Sequence, residues 1–281
     1  MDVSVCLILY LLCSRCIFVL LIETEKMDRS VLSLREIRLY GRQIMIPEIG
    51  IKGQEKLKRA KVLVVGAGGL GCPALQYLTV AGVGNIGIAE FDMVDETNLQ
   101  RQVLYGLEDI GKLKSIIAKK SLERLNSHAG LDIYNLKCDR SNALRILEKY
   151  DIIVDATDNI DSRYVINDAC VVLGKPMVHG AIYKYEGVIS VFNYMGGPTY
   201  RCYNPQTNSS AFKNPEPAFV GLFGFLPGIT GTYLANEVIK IITETGEVLS
   251  GKVLLINILN NTFRTYNVNN IPENHDKKSL E

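Results

Sequence analysis

The stretch VLVVGAGGLG (residues 62–71) runs four apolar residues straight into a loop carrying Gly66, Gly68, Gly69 and Gly71. The β-branched run KVLVV predicts a buried parallel strand ending at Gly66, and GLGCPALQYLTVAG predicts a helix ending at Gly82. Strand, glycine loop and helix in that order suit a phosphate. Bare backbone lets the anion approach, and the helix N-terminus favours negative charge. Gly66, Gly68 and Gly71 match the dinucleotide fingerprint, and Gly69 leaves one more position without a side chain. Glu90, at the end of the next apolar run NIGIAEF, can accept hydrogen bonds from ribose hydroxyls. At this level NAD and ATP fit equally well.

Outward from the loop, strands and helices alternate. Residues 33–60 read as helical and 112–126 carry apolar residues at helical spacing. LDIYNL, DIIVDAT and PMVHGAI read as further strands, separated by helices near 141–149 and at 160–173. This pattern predicts an α/β fold with a Rossmann-like, doubly wound, mostly parallel sheet. After Gly187 the pattern changes. VISVFNY, a turn-rich stretch over 195–217, a helix around 228–244 and KVLLINI…TFRTYNV predict antiparallel strands that extend the sheet through the C-terminal third.

One domain is expected over residues 27–268, followed by a polar tail at 269–281 whose composition predicts disorder. Residues 1–26 stand apart as an apolar leader. They are about long enough to cross a bilayer, but an arginine at the centre, Arg15, costs roughly 2.5 kcal/mol or more there. The leader also lacks the basic start of a signal peptide. We read it as a mis-called start upstream of Met27 or, second, as a membrane anchor; if translated, it forms a helix outside the fold.

Composition narrows the function classes. With 47% hydrophobic and 22% charged residues among 281, the chain can build a substantial core. A formal net charge of +1 gives no bulk reason to expect nucleic acid or an anionic membrane as partner. The 7 cysteines are scattered and odd in number, which predicts reduced thiols in the cytoplasm and no disulfide framework.

The charged inventory separates ATP from NAD. DETNLQRQ spaces Asn98, Arg101 and Gln102 three and four residues apart, on one face if the turn is helical. GKLKS offers Lys112 and Lys114 at a helix start, where a cation is out of place unless an anion balances it. YGRQ supplies Arg42, and DATDNIDSR supplies Asp155, Asp158, Asn159 and Arg163 at the C-terminal end of a strand. Singly, such charges are usually solvated or paired, Arg163 with Asp158 or Asp161 for instance. Hydride transfer requires none of the basic groups, whereas splitting a triphosphate requires several, plus a carboxylate for Mg²⁺.

These motifs, YGRQ, VVGAGGLGCPALQYLTVAGVG, EFDMVDETNLQRQ, GKLKS and DATDNIDSRYVIND, resemble the ThiF/MoeB/HesA adenylyltransferases, relatives of the ubiquitin-activating enzymes. The similarity runs from about Leu34 to Val268 and is closest in character to ThiF and MoeB. The resemblance implies transfer of AMP from ATP to the C-terminal glycine carboxylate of a ubiquitin-like sulfur carrier ending in Gly-Gly, for thiamine or molybdopterin biosynthesis. It implies that Gly69 lies against the phosphates and Glu90 takes the ribose, where the family usually has Asp. Asn98, Arg101 and Lys114 would bind the triphosphate, Asp158 with Asn159 would hold Mg²⁺ and nucleotide, and Arg42 would reach into the neighbouring site of a homodimer.

Two departures bear on the chemistry. Many relatives hold a structural zinc with two Cys-x-x-Cys pairs, but here the first is reduced to TYRC, with Thr199 and Cys202, and the second is absent, so no zinc is expected. Where some relatives carry a linking cysteine, Pro217 stands, which argues against a thioester or persulfide there. Cys72, Cys138 and Cys170 read as packing residues, Cys202 as an unreactive remnant, His179 as a satisfied buried histidine and His275 as solvated.

Three other readings compete. One is a superfamily member that activates a tRNA-borne or peptide carboxylate; another is an NAD-dependent dehydrogenase, supported by the glycine loop alone. The third is a non-catalytic scaffold, which would tolerate loss of Arg42, Arg101, Lys114 and Asp158. Ligand titration separates the first-choice reading from the dehydrogenase. ATP with Mg²⁺ at a hundred times its Kd raises the unfolding free energy by about 2.7 kcal/mol, and NAD leaves it unchanged. Stabilisation by NAD alone reverses the assignment.

Overall fold

The computed structural model describes residues 31–205 and 221–280, so the leader at 1–26 and Pro217 lie outside the described residues. Eight strands form one sheet: β1 (Lys61–Val65), β2 (Asn85–Ala89), β3 (Gly130–Tyr134), β4 (Ile152–Asp155), β5 (Met177–Tyr183), β6 (Glu186–Phe192), β7 (Lys252–Asn257) and β8 (Thr262–Asn267). Their order is β3-β2-β1-β4-β5-β6-β7-β8. The pairs joining β1 to β2 and β4, β2 to β3 and β4 to β5 are parallel, whereas β5–β6, β6–β7 and β7–β8 are antiparallel. The change falls at Gly187, where the sequence pattern changes.

Burial explains the strand composition. Strand β1 sends Val62 and Val64 into one apolar layer and Leu63 and Val65 into the other, so both faces are covered and a continuous apolar run results. The first layer lies under α3 (Gly50–Arg59), α4 (Gly71–Ala81), α5 (Lys114–Leu125) and α9 (Leu226–Thr243). The second lies under α6 (Ala143–Leu147), α7 (Ile160–Leu173) and α8 (Tyr200–Tyr203). Strand β8 is an edge strand, and Phe263 and Tyr266 on it are exposed.

Ahead of the sheet lie α1 (Leu34–Leu39), which begins from a capping box between Ser33 and Glu36, and α2 (Gly41–Ile44). Polar side chains fasten this N-terminal layer. Gln43 Nε2 donates to the Ala81 carbonyl at 3.1 Å, and Asn126 Nδ2 donates to Tyr40 Oη at 2.8 Å. The layer that carries Arg42 is therefore tied to the C-terminal ends of α4 and α5. No helix among the described residues is long and apolar enough to cross a membrane.

The tail departs from the expectation of disorder. Residues Pro272–His275 form a 3₁₀ turn, Lys277 Nζ lies 3.1 Å from Asp168, and Leu280 is buried in the second apolar layer. Composition reports whether a segment can fold by itself; here the anchors are supplied by α7 and by the layer beneath. His275 is bonded, its Nε2 lying 2.8 Å from Asn270 Oδ1.

The glycine loop sets the closest approach in the fold. A Cβ on Gly71 would stand 1.9 Å from the Gly66 carbonyl oxygen, an overlap of backbone with no flexible side chain to yield. Gly71→Ala is therefore expected to lose about 3 kcal/mol or more in urea unfolding. Gly41→Ala, with nothing within 4 Å of its Cβ, changes stability by less than about 1 kcal/mol. Equal effects at the two positions would contradict the packing.

Candidate active site

Strands β2 and β4 leave β1 on opposite sides, so a crevice opens at their C-terminal ends, where such sheets bind ligands. A cavity of about 600 Å³ occupies it, a volume suited to a nucleotide-sized ligand. One wall is the glycine loop. Gly66 has φ +96°, and a Cβ there would lie 2.7 Å from the Ala156 carbonyl oxygen after β4, so the position admits only glycine. The Ala67 peptide is held on both sides: its N–H donates to Glu90 Oε2 at 2.8 Å, and its carbonyl accepts from Tyr105 Oη at 2.7 Å and Cys72 Sγ at 3.3 Å.

The cavity brings together most of the expected residues: Gly66, Gly68, Gly69, Glu90, Arg101, Lys114, Asp158 and Asn159. Gly71 does not line it, and Arg42 and Asn98 do not either. Gly71 lies beneath the loop, where it admits the close crossing described above. Arg42 is exposed on the N-terminal layer. Asn98 closes the 3₁₀ turn Glu96–Asn98. Its Oδ1 accepts from the Asp95 N–H at 3.4 Å, and its carbonyl accepts from the N–H groups of Arg101 and Gln102. Arg101 and Gln102 line the cavity and Asn98 does not, because its side chain is turned back onto the Asp95 N–H.

Lys114 is the first residue of α5 and only 5% exposed. A buried ammonium at a positive helix end needs an anion, and within the chain Asp92 supplies it, 3.3 Å away and itself half exposed. One carboxylate at that distance leaves both the ammonium and the helix terminus receptive to a phosphate. Arg101 extends over Gly69, its Cδ 3.6 Å from where a Cβ would be, and its Nη1 donates to the Thr97 carbonyl at 2.9 Å. Lys112, the other lysine of the motif, is exposed and paired with Asp109 at 3.2 Å.

Glu90 is buried and already accepts three backbone N–H groups, from Ala67, Phe91 and Asp92, at 2.8–2.9 Å. A carboxylate offers about four acceptor sites, so one remains for a ribose hydroxyl. Asn159 caps α7 through Oδ1, which accepts from the Ser162 N–H at 2.9 Å, and its Nδ2 lies 3.4 Å from Asp158 Oδ1. Asp158 is exposed to the cavity, and its Oδ1 meets the Asn159 amide at 3.4 Å. Mg²⁺ is held through one or two carboxylates plus substrate phosphates, not by an all-protein cage. Asp158 fits that mode, and no cluster of three or more His, Cys, Asp or Glu side chains exists among the described residues.

Behind the cavity, Asp155 and His179 form a fully buried pair. His179 Nδ1 lies 2.7 Å from Asp155 Oδ2, and Asp155 Oδ1 accepts from the N–H and hydroxyl of Thr157 at 3.1 and 2.6 Å. Burial alone would raise the Asp155 carboxyl, but the bonds from His179 and Thr157 and the charge of Arg163 outweigh it and hold it below its usual range. Burial pushes the His179 imidazole below its ordinary value despite the neighbouring carboxylate. His179 is thus neutral and satisfied, and it anchors the turn that carries Asp158. Arg163 pairs with neither Asp158 nor Asp161; its Nη2 donates to the Thr157 carbonyl at 3.1 Å.

The thiols divide in two. Burial raises Cys72 and Cys138 to about 12 and Cys170 well above the usual thiol range, so all three stay protonated. Cys138 also lines the cavity beside Leu136 and Lys137, which follow β3. Sequence reading missed this apolar wall, although its place at a strand C-terminus was a signal. Cys202 differs. Despite partial burial, hydrogen bonds from Thr199, Asn274 and the Ile271 N–H lower its thiol.

The description ThiF family matches residues 40–278 of this chain. The chain is 45% identical over 242 residues to a sulfur carrier protein adenylyltransferase of Thermus thermophilus, spanning 84% of this chain and 89% of that protein. A probable molybdopterin-synthase adenylyltransferase of Porphyra purpurea is 45% identical, with 84% of this chain and 62% of that protein covered. An adenylyltransferase and sulfurtransferase MOCS3 of Anopheles gambiae is 46% identical, covering 82% and 52%, so this chain corresponds to part of the latter two. Among solved structures, E. coli MccB with MccA-N7isoASN superposes with a TM-score of 0.75 at 23% identity, covering 87% of this chain and 75% of that one. E. coli MccB with AMPCPP and selenomethionine MccA gives 0.69 at 26%, covering 78% and 67%.

The buried pair has a consequence for stability. The unfolded chain takes up a proton on its imidazole near pH ~6.5, whereas folded His179 takes it up only at lower pH, so the stabilisation is complete above that pH and is lost as pH falls below it. Asp155, lowered in the fold, adds a loss only in the more acid range below its ordinary value. Below pH ~6.5 the unfolding free energy is expected to fall by up to about 1.4 kcal/mol per pH unit from this one histidine. Urea unfolding at several pH values should show a shallower slope for His179→Gln; an unchanged slope would contradict the neutral assignment.

Proposed function

The chain belongs to the ThiF family, and on that premise we propose that it is an ATP-dependent adenylyltransferase. Its substrate is the C-terminal glycine carboxylate of a ubiquitin-like sulfur-carrier protein, in thiamine or molybdopterin biosynthesis. The observation that carries this reading is the meeting of Arg101, Lys114 and Asp158 with the bare backbone of Gly66, Gly68 and Gly69 in one cavity.

The chemistry follows from that inventory. A terminal carboxylate has a pKa near ~3.5 and is ionised at neutral pH, so it is the nucleophile without a general base. One carboxylate oxygen attacks the α-phosphorus. The bond from that phosphorus to the bridging oxygen of the β-phosphate breaks, and its electron pair leaves with pyrophosphate. Catalysis is then alignment and compensation of charge. Lys114 and Arg101 neutralise the triphosphate, the loop backbone receives it, and the fourth acceptor site of Glu90 takes a ribose hydroxyl. Asp158 would hold Mg²⁺ with the phosphate oxygens, and the ion would offset charge building on the leaving pyrophosphate. Asn98 acts through the turn it closes, which sets the direction of Arg101.

Arg42 completes the site from a second copy of the chain. It is exposed on the N-terminal layer, which also exposes Leu39, Met45 and Ile46, apolar surface suited to a homodimer. Unpaired Cys72, Cys138, Cys170 and Cys202 suit the cytoplasm.

Pyrophosphate exchange tests both parts. With a Gly-Gly-ended carrier, wild type incorporates labelled pyrophosphate into ATP, and Lys114→Met or Arg42→Ala loses roughly a hundredfold or more. Subunits of the two variants, mixed and allowed to reassort, regain about a quarter of wild-type activity, because each mixed dimer has one intact site. Absence of exchange with every such carrier overturns the activity; absence of complementation overturns Arg42 acting across the dimer.

A further inference from the structure

The polar tail is fastened at every third residue from Ile271 to Leu280. The Ile271 N–H and Asn274 Nδ2 each donate to Cys202 Sγ at 3.4 Å, Lys277 Nζ lies 3.1 Å from Asp168 Oδ2, and Leu280 is buried in the second apolar layer. Just ahead of these anchors, Asn270 Nδ2 donates to the Gly196 carbonyl at 2.9 Å. The 3₁₀ turn Pro272–His275 repeats every three residues, so it returns Asn274 to the side from which Ile271 bonds the sulfur. Cys202 lies on α8, whereas Asp168 lies on α7 and is buried. The Asp168 carboxylate is filled. Arg201 of α8 donates through Nε at 2.7 Å and Nη2 at 2.8 Å, Asn167 donates through Nδ2 at 3.1 Å, and Lys277 takes the remaining acceptor site. The tail therefore bridges α7 and α8, and α7 is the helix whose first turn, from Asn159 to Ser162, borders the cavity.

Thr199 and Cys202 stand where many relatives begin a zinc site, so the surroundings of this sulfur decide whether such an ion fits. Structural zinc takes about four lone-pair ligands at about 2.0–2.3 Å. Around Cys202 Sγ the described residues offer the opposite: two N–H groups point at the sulfur, and the Thr199 hydroxyl lies 3.4 Å away. Donor hydrogens occupy the sulfur lone pairs that a cation would use. No group of three or more His, Cys, Asp or Glu stands together among the described residues to complete a ligand set. The residues at this position do not fit zinc. They fit a sulfur that accepts hydrogen bonds.

We propose that residues 270–280 form a metal-free strap across α7 and α8, fastened by the Cys202 sulfur as a hydrogen-bond acceptor and by the Asp168 carboxylate as an ion-pair partner. The strap does the work of a metal with groups that need no metal. It stands independently of the reading of the cavity as an ATP site, because none of its anchors lines that cavity.

Amide hydrogen exchange on the full chain, read residue by residue over 270–280, tests it. In the wild type the Ile271 amide is protected, and dialysis against EDTA leaves its exchange rate within about twofold. Cys202→Val keeps the bulk and removes the acceptor, so exchange at Ile271 speeds up roughly tenfold or more, the size expected when a hydrogen bond is lost. Cys202→Ser keeps an acceptor and cannot supply a thiolate ligand, so its exchange stays within about threefold of wild type. Lys277→Met removes the ion pair and keeps the chain length. It speeds exchange over 274–280, and 1 M NaCl moves the wild type towards it because the lysine is partly exposed. Three results overturn the proposal. One is zinc bound at one ion per chain whose removal by EDTA exposes the tail. Another is an unprotected wild-type tail, or protection equal in wild type and Cys202→Val. The third is a loss in Cys202→Ser as large as in Cys202→Val.

Discussion

The peptide between Gly66 and Gly68 is the junction on which the site depends. Its N–H is held by Glu90 from the end of β2, and its carbonyl by Tyr105 and Cys72. The neighbouring Gly66 carbonyl fills the space that a side chain on Gly71 would need. Strand β1, strand β2, helix α4 and the connection ahead of α5 therefore converge on one short stretch of backbone. Every other part of the cavity is placed relative to it. Arg101 packs over Gly69 and Gln102 borders Gly68, because the turn that bears them is bonded back to this junction through Tyr105.

Around that backbone the charges are arranged before any ligand arrives. Lys114 is buried at a helix start with one half-exposed carboxylate beside it, and Arg101 is directed by the Thr97 carbonyl. On the facing side, Asp158 projects into the cavity from a turn whose root, Asp155, is locked by His179 and Thr157. Cations and carboxylate are thus on opposite walls, held by groups that are themselves bonded. Such an arrangement requires little reorganisation when charge develops on a departing group, and it suits phosphoryl chemistry better than hydride transfer.

Much of this was legible in the sequence, and the misses share a cause. The strands and helices follow hydrophobic periodicity, and their boundaries lie within a few residues of the expected ones. Glu90, Arg101, Lys114, Asp158 and Asn159 could be assigned because motifs at strand ends and helix starts bring side chains to the crevice. Gly71 was grouped with the ligand-facing glycines, but a close crossing of two backbones leaves the same residue type as an open phosphate cradle. Asn98 has the spacing to share a face with Arg101 if the turn is helical, but its side chain closes its own turn on the Asp95 N–H, a contact that spacing alone does not reveal. The tail is polar throughout, so only its partners Asp168 and the second apolar layer could reveal that it docks.

The sequence by itself determined the order of strands and helices, the loop at their junction and the chemical class of the charged groups. These follow from local rules: periodicity, glycine at positive φ, and the sign of charge tolerated at a helix end. Only the tertiary structure decided which of those groups share a cavity, which support it from behind, and which face outward, as Arg42 does. It also left the side-chain oxygen of Gln102 buried with no partner among the described residues. Whether a buried polar atom has a partner depends on residues distant along the chain, and no local pattern records that distance.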